Sequence, residues 1–192
     1  MAFVEERLSV ILKEFGEKET ETVLSEFVCD DNKEVEEFIR KKAIKNENYG
    51  MSKTILIFDN DTDDIVGYYT VTTKSFLLHK MNTSKKIKLF GTSQTNGNVL
   101  PSILIGQLGK NSATKSNFTG SNLMDCVFRY IVKMSEYTPS VVCYVEHNGS
   151  EKLINYYEKH GFTYFERKEE EKNGLFCHMI KTKDIFEMLN HK

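Results

Sequence analysis

The residue types that most often bind metals or act as nucleophiles are scattered along this 192-residue chain. No two cysteines form a C-x-x-C pair and no two histidines form an H-E-x-x-H helix, which are spacings typical of redox and metal sites. We therefore expect free, buried thiols and no metal-dependent mechanism. The residues concerned are Cys29, Cys126, Cys143, Cys177, His79, His147, His160, His178 and His191.

The segment 156–165, YYEKHGFTYF, places a phenol beside a helix end. Gly161 permits the left-handed backbone conformation that commonly ends a helix, and Phe162 then starts an apolar strand. Tyr157 precedes this turn. A phenol with a reference pKa of about 10 is protonated at neutral pH, as a general acid must be. The alternative is that Tyr157 is only a half-buried aromatic residue.

A second segment, 103–124, has the sequence ILIGQLGKNSATKSNFTGSNLM and predicts a buried strand, a polar loop and a helix. The N–H groups and the dipole at a helix N-terminus favour a bound phosphate, and Lys115 adds a point charge. The alternative is an ordinary polar loop with a Ser, Asn or Thr helix cap.

The net charge of −2 conceals a basic middle of the chain. Between Lys74 and Met124 the sequence contains seven lysines and no aspartate or glutamate. Clustered lysines attract polyanions through a screened, long-range field, whereas a solvated loop face explains them equally well. Both interpretations stay open on the sequence alone.

Length and composition favour one domain over residues 1–192, because 40% of the residues are hydrophobic and can form one sizeable core. No apolar run approaches the roughly 20 residues that span a bilayer. The N-terminus mixes acidic with apolar residues, unlike a signal peptide. We expect a cytoplasmic protein without membrane contact.

The elements that must position these segments begin with an amphipathic helix over 3–15, within an N-terminal segment 1–20. Its apolar face fits packing on the core or on a second copy in a homodimer. Residues 22–29 predict a strand, and 30–32 predict the cap of a helix that carries Val35, Phe38, Ile39 and Ala43 on one face. Residues 53–58 and 65–73 predict a hairpin, followed by a surface excursion over 75–98.

The C-terminal half alternates strands and helices. Residues 100–108 predict a strand, 120–137 a helix, 140–146 a strand and 149–159 a helix. Two strands follow over 162–167 and 175–181, joined by an acidic turn, and a helix over 184–189 ends the chain.

This order of elements, with three segments, resembles the GNAT acetyltransferase family. The resemblance implies an α+β (mixed α/β) fold, with a single GNAT-like domain, a central twisted, mostly antiparallel sheet flanked by helices and a splayed pair of strands that binds the cofactor. Segment 156–165 is similar to the family signature F-Y-x-x-x-G-F. The resemblance implies that Tyr157 is catalytic and protonates the leaving thiolate.

Segment 103–124 resembles the strand, pyrophosphate loop and helix that hold acetyl-CoA in the family. The family loop reads Q/R-x-x-G-x-G/A, and here Lys115, Phe118 and Gly120 occupy its first, fourth and sixth positions. The backbone N–H of Leu108 is then placed to polarise the thioester carbonyl. The implied cofactor-binding residues are Gln107, Leu108, Gly109, Lys110, Lys115, Ser116, Asn117, Phe118, Thr119, Gly120 and Ser121.

The front of the chain, residues 26–43 and 52–71, resembles a bacterial GNAT subgroup that includes toxins acetylating aminoacyl-tRNA. The resemblance implies that Arg40, Lys41 and Lys42, with the lysines of 74–88, form a surface for the tRNA backbone. A solvated helix face is the alternative for the first three.

The implied function is transfer of an acetyl group from acetyl-CoA to an amine by direct attack, without a metal. The acceptor is either an aminoacyl-tRNA, as for a toxin with an antitoxin partner, or a small-molecule or protein amine. Glu146 and His147 are candidates for a general base. The alternative function is a catalytically degenerate domain that binds acyl-CoA or a partner without turnover, since Phe118 replaces a glycine.

Overall fold

The computed structural model describes residues 3–78, 82–90, 99–168 and 175–190. In these ranges the strands are β1 (Phe3–Arg7), β2 (Lys53–Asp59), β3 (Ile65–Leu77), β4 (Val99–Lys110), β5 (Val142–His147), β6 (Thr163–Lys168) and β7 (Leu175–Lys181). The helices are α1 (Leu8–Phe15), α2 (Glu17–Ser25), α3 (Lys33–Lys41), α4 (Ala43–Asn48), α5 (Thr83–Phe90), α6 (Gly120–Ser135), α7 (Glu151–Lys159) and α8 (Thr182–Asn190).

Hydrogen bonding orders the strands as β1-β2-β3-β4-β5-β7-β6. The pairs β1–β2, β2–β3, β5–β7 and β6–β7 are antiparallel. The predicted mixed class with a mostly antiparallel sheet is therefore confirmed.

The chain forms two compact units. The first runs to Thr72 and includes Ile105–Val127, and the second comprises Thr73–Leu104 and the chain from Phe128 onward. Strands β3 and β4 and helix α6 contribute residues to both. That the chain is a single domain stays a prediction.

The first unit begins with a strand where the apolar spacing predicted a helix. Residues Phe3–Arg7 pair antiparallel with Ile55–Asp59 of β2. Only from Leu8, which is fully buried, does the chain become helical. The prediction of a helix over 3–15 is thus wrong for its first five residues, because a distant strand supplies their backbone hydrogen-bond partners.

The predicted strand over 22–29 is also wrong, since residues up to Ser25 belong to α2. Glu17 and Glu19 lie in the first turn, where the helix dipole favours acidic side chains. Thr20 and Leu24, four residues apart, are its buried residues. Of the threonines in this helix, Thr20 lies on its buried side and Thr22 on its exposed side.

Helix α3 starts as predicted. Asn32 caps it by accepting hydrogen bonds from the backbone N–H groups of Glu34 and Val35 through its side-chain oxygen. The core of this unit joins α1–α4 to β2 and β3, and its buried residues are Leu8, Leu24, Phe27, Cys29, Val35, Ile39, Ala43, Leu56, Ile65 and Tyr68.

The second unit has its core between β3, β4, β5 and β7. Its buried residues are Phe76, Leu78, Leu100, Leu104, Val142, Tyr144, Cys177 and Met179. Strand β3 extends to Leu77, so the predicted excursion over 75–98 begins later, and it contains α5. The other parts of that excursion, 79–81 and 91–98, and the acidic turn 169–174 lie outside the described residues.

All four cysteines are free and buried, as predicted. Of the helices in the described ranges, none has the length and apolar character that crossing a bilayer requires.

Candidate active site

The end of β4 is fixed by a buried asparagine that the sequence analysis did not single out. The Asn111 N–H donates to the Val66 carbonyl (2.9 Å), and its side-chain amide donates to the Ile65 carbonyl (2.7 Å). Its side-chain oxygen accepts from the N–H groups of Val28 and Ala113, each at 3.1 Å. Every polar atom of the side chain is therefore used to hold the loop after β4 against the start of β3.

The predicted pantetheine-binding residues are held by packing as well. The Gln107 N–H donates to Oγ1 of Thr70 at 2.8 Å. Gly109 is required by close approach, because a Cβ there would lie 2.6 Å from Cγ1 of Val35 and 2.7 Å from Cε1 of Tyr68. Leu108 is half-buried and Lys110 is exposed. The strand is thus rigidly placed, and the Gln107 N–H is already bonded within the protein.

Phe118 occupies the family's first loop glycine, and its side chain points into the core. It is 1% exposed, and its ring meets that of Phe3 edge-on at 4.9 Å between centroids. A Cβ on Gly67 would lie 2.8 Å from its Cε1 atom. The ring therefore anchors the loop to the core and leaves the solvent-facing side of the loop unobstructed.

Ser116 lies on the same loop and is engaged by a carboxylate. Its hydroxyl donates to Oδ2 of Asp59 at 2.6 Å, and its oxygen accepts the N–H of Phe118 at 3.3 Å. The hydrogen bond from Ser116, followed by one from the Asp61 N–H, lowers the pKa of Asp59. A charged carboxylate is thus part of the loop that the sequence predicts to bind pyrophosphate.

Helix α6 has its own cap. The Thr119 N–H and hydroxyl both donate to Oδ1 of Asn122, at 2.9 and 2.6 Å. The Asn122 N–H donates back to Oγ1 of Thr119 at 3.2 Å. This reciprocal pair is a capping box, so the predicted alternative of a polar helix cap is correct at these two residues.

Some of the predicted phosphate-binding residues face solvent. Lys115, Asn117, Thr119 and Ser121 are exposed, and Gly120 is half-buried. The loop therefore offers one cation and several small polar residues on its outer face, while the N–H groups of Phe118 and Thr119 are bonded internally. That these residues bind a cofactor stays a prediction.

In the second unit, the end of α7 explains the spacing of the 156–165 segment. The Phe162 N–H donates to the Tyr157 carbonyl (3.1 Å), and the Gly161 N–H donates to the Glu158 carbonyl (3.0 Å). Gly161 has φ +86°, and the rings of Tyr157 and Phe162 are in edge contact at 5.6 Å. These are the two hydrogen bonds and the apolar contact of a Schellman motif, in which only glycine readily fits the left-handed position.

Tyr157 is buried and 7% exposed. Burial raises the pKa of its phenol to about 12, so the hydroxyl carries its proton at neutral pH. Its ring packs against His147, with centroids 5.1 Å apart. The side chain therefore satisfies the protonation state and the fixed position that a general acid needs.

Beside Tyr157 lies a pair of histidines, of which the sequence analysis named only His147 as a functional candidate. Nε2 of His147 and Nδ1 of His178 are 3.0 Å apart, and both side chains are buried. Burial, with the neighbouring His178, lowers the pKa of His147 to about 4, and burial also lowers that of His178. His147 was named as a candidate base, but no local signal connects it to a residue 31 positions later in the chain.

Of the two candidate bases, His147 is not ready to accept a proton. Nδ1 of His147 already accepts the N–H of Gly149 at 3.1 Å, and its low pKa makes it a weak base. Glu146 is half-buried at the end of β5. In the part of the chain that is described, no cluster of His, Cys, Asp or Glu residues suits a metal ion.

The basic residues of α3 are paired with acids of the same helix. Arg40 contacts Glu36 at 3.1 Å and donates to the Phe27 carbonyl at 2.7 Å. Lys41 and Lys42 lie 3.9 and 4.0 Å from Glu37. This pairing favours the solvated helix face over a tRNA surface at these three residues.

Comparison with known proteins gives no family model and no curated sequence that matches the chain. Solved structures do resemble it over nearly its whole length. A bacterial toxin superposes with a TM-score of 0.76 at 14% identity, covering 99% of this chain and 96% of its own.

Two structures of the toxin AtaT are similar as well. A tyrosine-to-phenylalanine variant, bound to the C-terminus of the antitoxin AtaR and to acetyl-CoA, has a TM-score of 0.67 at 16% identity and covers 100% of both chains. AtaT in complex with acetyl-methionyl-tRNAfMet has a TM-score of 0.68 at 18% identity, covering 97% of this chain and 99% of its own. These likenesses confirm the expected GNAT fold.

Proposed function

We propose that this protein is an N-acetyltransferase that transfers the acetyl group of acetyl-CoA to the α-amino group of an aminoacyl-tRNA. The observation that carries the proposal is Tyr157, a buried and protonated phenol held by the Schellman motif of α7. The fold is shared with toxins whose structures contain acetyl-CoA or acetyl-methionyl-tRNAfMet. The site and the fold thus support the same chemistry.

In the proposed reaction the neutral amine attacks the thioester carbonyl of acetyl-CoA. The backbone N–H of Leu108 stabilises the oxyanion of the tetrahedral intermediate, which collapses with cleavage of the C–S bond. Tyr157 donates a hydrogen bond to the departing CoA sulfur, and the proton that the nitrogen loses passes to solvent water, so that the phenol is still protonated at the end of the reaction. The products are the N-acetylated amine and CoA, and no covalent enzyme intermediate forms.

The occupied lone pair of His147 favours an aminoacyl-tRNA over a lysine acceptor. An α-amino group has a pKa of about 7.7–8.0, so a sizeable fraction is neutral at physiological pH. A lysine amine, with a pKa of about 10.4, must first lose a proton. An acceptor that is already neutral needs no strong base, which fits the occupied lone pair of His147.

The cofactor segment supplies the second part of the proposal. Lys115 on the outer face of the loop, together with the N-terminus of α6, binds the pyrophosphate, and Gln107–Lys110 line the pantetheine arm. Because acetyl-CoA and aminoacyl-tRNA occur in the cytoplasm, the protein acts there in this proposal, with an antitoxin as its inhibitor. The exposed Val4 and Phe15 of the N-terminal segment are available for a homodimer contact.

A second candidate is a domain that binds acyl-CoA or a partner without turnover. The loop favours this candidate, because the N–H groups of Phe118 and Thr119 already donate to side chains of the protein and are not free for a phosphate. The carboxylate of Asp59 in the same network also opposes a bound phosphate. Both candidates share the fold and differ only in catalysis.

Isothermal titration with acetyl-CoA, and with CoA as the control, tests the cofactor first. Binding in the micromolar range supports both candidates, whereas no binding at millimolar concentration removes the enzyme and leaves a domain that binds a partner without turnover. Incubation with radiolabelled acetyl-CoA and a panel of aminoacyl-tRNAs then separates them. Label in the aminoacyl moiety supports the enzyme, with uncharged tRNA and already acetylated methionyl-tRNA as controls. Label transferred equally to free amino-acid amides would instead identify a small-amine acetyltransferase.

A further inference from the structure

The hydrogen bonds around His147 allow only one arrangement of protons. The Gly149 N–H points at Nδ1 of His147 at 3.1 Å, and a backbone N–H can only donate. Nδ1 is therefore unprotonated, and a neutral His147 carries its hydrogen on Nε2. That hydrogen is donated to Nδ1 of His178 at 3.0 Å. His178 must in turn carry its own hydrogen on Nε2.

The unprotonated nitrogen of each histidine therefore already accepts a hydrogen bond. Nδ1 of His147 accepts one from Gly149, and Nδ1 of His178 accepts one from His147. A further proton can enter only if one of these hydrogen bonds breaks. This series of hydrogen bonds ends at the Nε2–H of His178, which is buried and has no hydrogen-bond acceptor among the described residues. The nearest carboxylate oxygen is Oε1 of Glu158, at 4.0 Å.

The two hydrogen-bonded histidines pack beside the side chain of Tyr157. The ring centroids of His147 and His178 lie 5.1 and 6.5 Å from that of Tyr157. Gly149 has φ +75° and leads into α7, and a Cβ there would collide with the ring of Phe176. The turn before α7 thus has one permitted conformation, and the His147–Gly149 hydrogen bond fixes it from the side of β5.

We infer that His147 and His178 are positioning residues for Tyr157, and that the carboxylate of Glu158 completes their chain by accepting the Nε2–H of His178. The inference rests on the proposed role of Tyr157 as the general acid. The pair acts through geometry, because it holds the turn before α7 and packs against the phenol ring. The titratable groups that face it are Tyr157 and Glu158 from α7 and Tyr164 from β6.

Two substitutions at one position separate the two hydrogen bonds. In His147→Asn the amide oxygen takes the place of Nδ1 and keeps the bond from Gly149. In His147→Gln the amide nitrogen takes the place of Nε2 and keeps the bond to His178, while the Gly149 N–H loses its acceptor. We expect kcat of His147→Gln to be at least about tenfold below that of His147→Asn, since small displacements of reacting groups cost that much or more. The Kd for acetyl-CoA should agree within about twofold, because the lost contact affects orientation and not cofactor binding.

The outer end of the chain has its own variants. In His178→Asn the amide oxygen keeps the bond from His147 and removes only the terminal N–H donor. If Glu158 completes the chain, Glu158→Ala and His178→Asn lower kcat by the same factor, and the double variant is no worse than either. Additive losses in the double variant would refute the role of Glu158. Equal kcat values for His147→Asn and His147→Gln would refute the positioning role.

Nitrogen-15 NMR of the histidine rings tests the inference without any activity. At neutral pH both rings must show a protonated Nε2 and an unprotonated Nδ1, and an Nδ1–H tautomer in either ring overturns the inference. The ring signals of Tyr157 should shift more in His147→Gln than in His147→Asn. If no acetyl transfer is ever detected but these signals are as expected, the proposed function fails and the positioning of Tyr157 stands.

Discussion

The chemistry of Tyr157 depends on its surroundings more than on the phenol itself. Burial raises its pKa to about 12, whereas a free thiol has a reference value near about 8.5. Full proton transfer to a thiolate is uphill in that ground state, so the phenol acts by donating a strengthening hydrogen bond as the C–S bond breaks. The fixed ring, held by Phe162 and His147, makes that bond available without reorganisation.

Tyr157→Phe removes the phenolic hydroxyl and keeps the ring. We expect kcat for acetyl transfer to fall by about 10²-fold or more, because a positioned acid contributes about 10²–10⁴. The Kd for acetyl-CoA, measured by titration calorimetry, should stay within about twofold. Tyr137→Phe is the matched control, since Tyr137 is 81% exposed. Unchanged turnover in Tyr157→Phe would contradict the assigned role.

The histidine pair predicts a loss of stability in acid. The pKa of His147 is lowered to about 4, against about 6.5 in an unfolded chain. Between these values the unfolded state binds more protons, so the stabilisation is complete above about pH 6.5 and is lost as the pH falls through 4. The melting temperature should drop between about pH 7 and 5, by about 2–4 °C for each 1 kcal/mol lost.

His147→Asn provides the control for this acid effect. Asparagine does not titrate, and its oxygen can retain the Gly149 hydrogen bond. The drop in melting temperature between the two pH values should be smaller in this variant than in the wild-type protein. Equal drops would assign the acid effect to other groups.

Single residues were predictable where the signal is local. The left-handed Gly161 and the cap at Asn32 followed from residue type and spacing. His178 and Asn111 did not, because His178 has a partner 31 residues away, and Asn111 has side-chain partners 46 and 83 residues away in the chain. A buried polar residue is recognisable in the sequence only when its partner is a neighbour.

Among the elements, the segment from β4 to α6 departs most from the GNAT pattern that it resembles and shows how a loop can be held differently. Where that pattern has glycine, this chain has Phe118 buried against Gly67 and Phe3. The ring replaces backbone flexibility with a core contact, and Ser116 ties the loop to Asp59. The unusual sequence is thus a different anchor for the loop.

Phe118→Gly, which introduces the glycine of the GNAT loop pattern, should therefore destabilise the protein. Loss of a fully buried phenylalanine costs about 3–5 kcal/mol in free energy of unfolding, measured by urea denaturation. Phe118→Leu fills more of the space and should cost less than half as much. A Phe118→Gly protein that keeps its stability and binds acetyl-CoA more tightly would show that the ring obstructs the cofactor.

Gly109→Ala tests the close packing at the end of β4. The added Cβ would overlap Cγ1 of Val35 and Cε1 of Tyr68. We expect a loss of about 1–3 kcal/mol in the free energy of unfolding. Val35→Ala removes one of the two contacts, so the double variant should lose less than the sum of the single losses. Additive losses would show that the two residues do not compete for space.

The order of elements was largely predictable, and the errors have one cause. Strand β1 carries helical apolar spacing, and α2 carries threonines typical of strands. In both, the hydrogen bonds or buried face supplied by other parts of the chain outweighed local preference. Hairpins and helices with strong periodicity, such as 53–73 and 120–135, did not depend on distant partners and were predicted well.

For the molecule as a whole, a net charge of −2 must be reconciled with a polyanionic acceptor. Helix α3 does not supply the attraction, since Lys41 and Lys42 both lie beside Glu37. The exposed Lys74, in a stretch without acids, is the better contact for a tRNA phosphate. Few contacts of this kind imply a modest dependence of tRNA binding on salt.

With about three phosphate contacts, the KM for aminoacyl-tRNA should rise roughly 20- to 40-fold between 50 and 200 mM salt at saturating acetyl-CoA. The variant Lys74→Gln should raise KM at low salt and make this dependence less steep, because it removes one of the contacts. The matched variant Lys41→Gln should leave the slope unchanged, because that amine lies 3.9 Å from the carboxylate of Glu37. A slope that flattens only in the second variant would move the tRNA surface to α3, and a slope near zero in the wild-type protein would point to a small, uncharged acceptor.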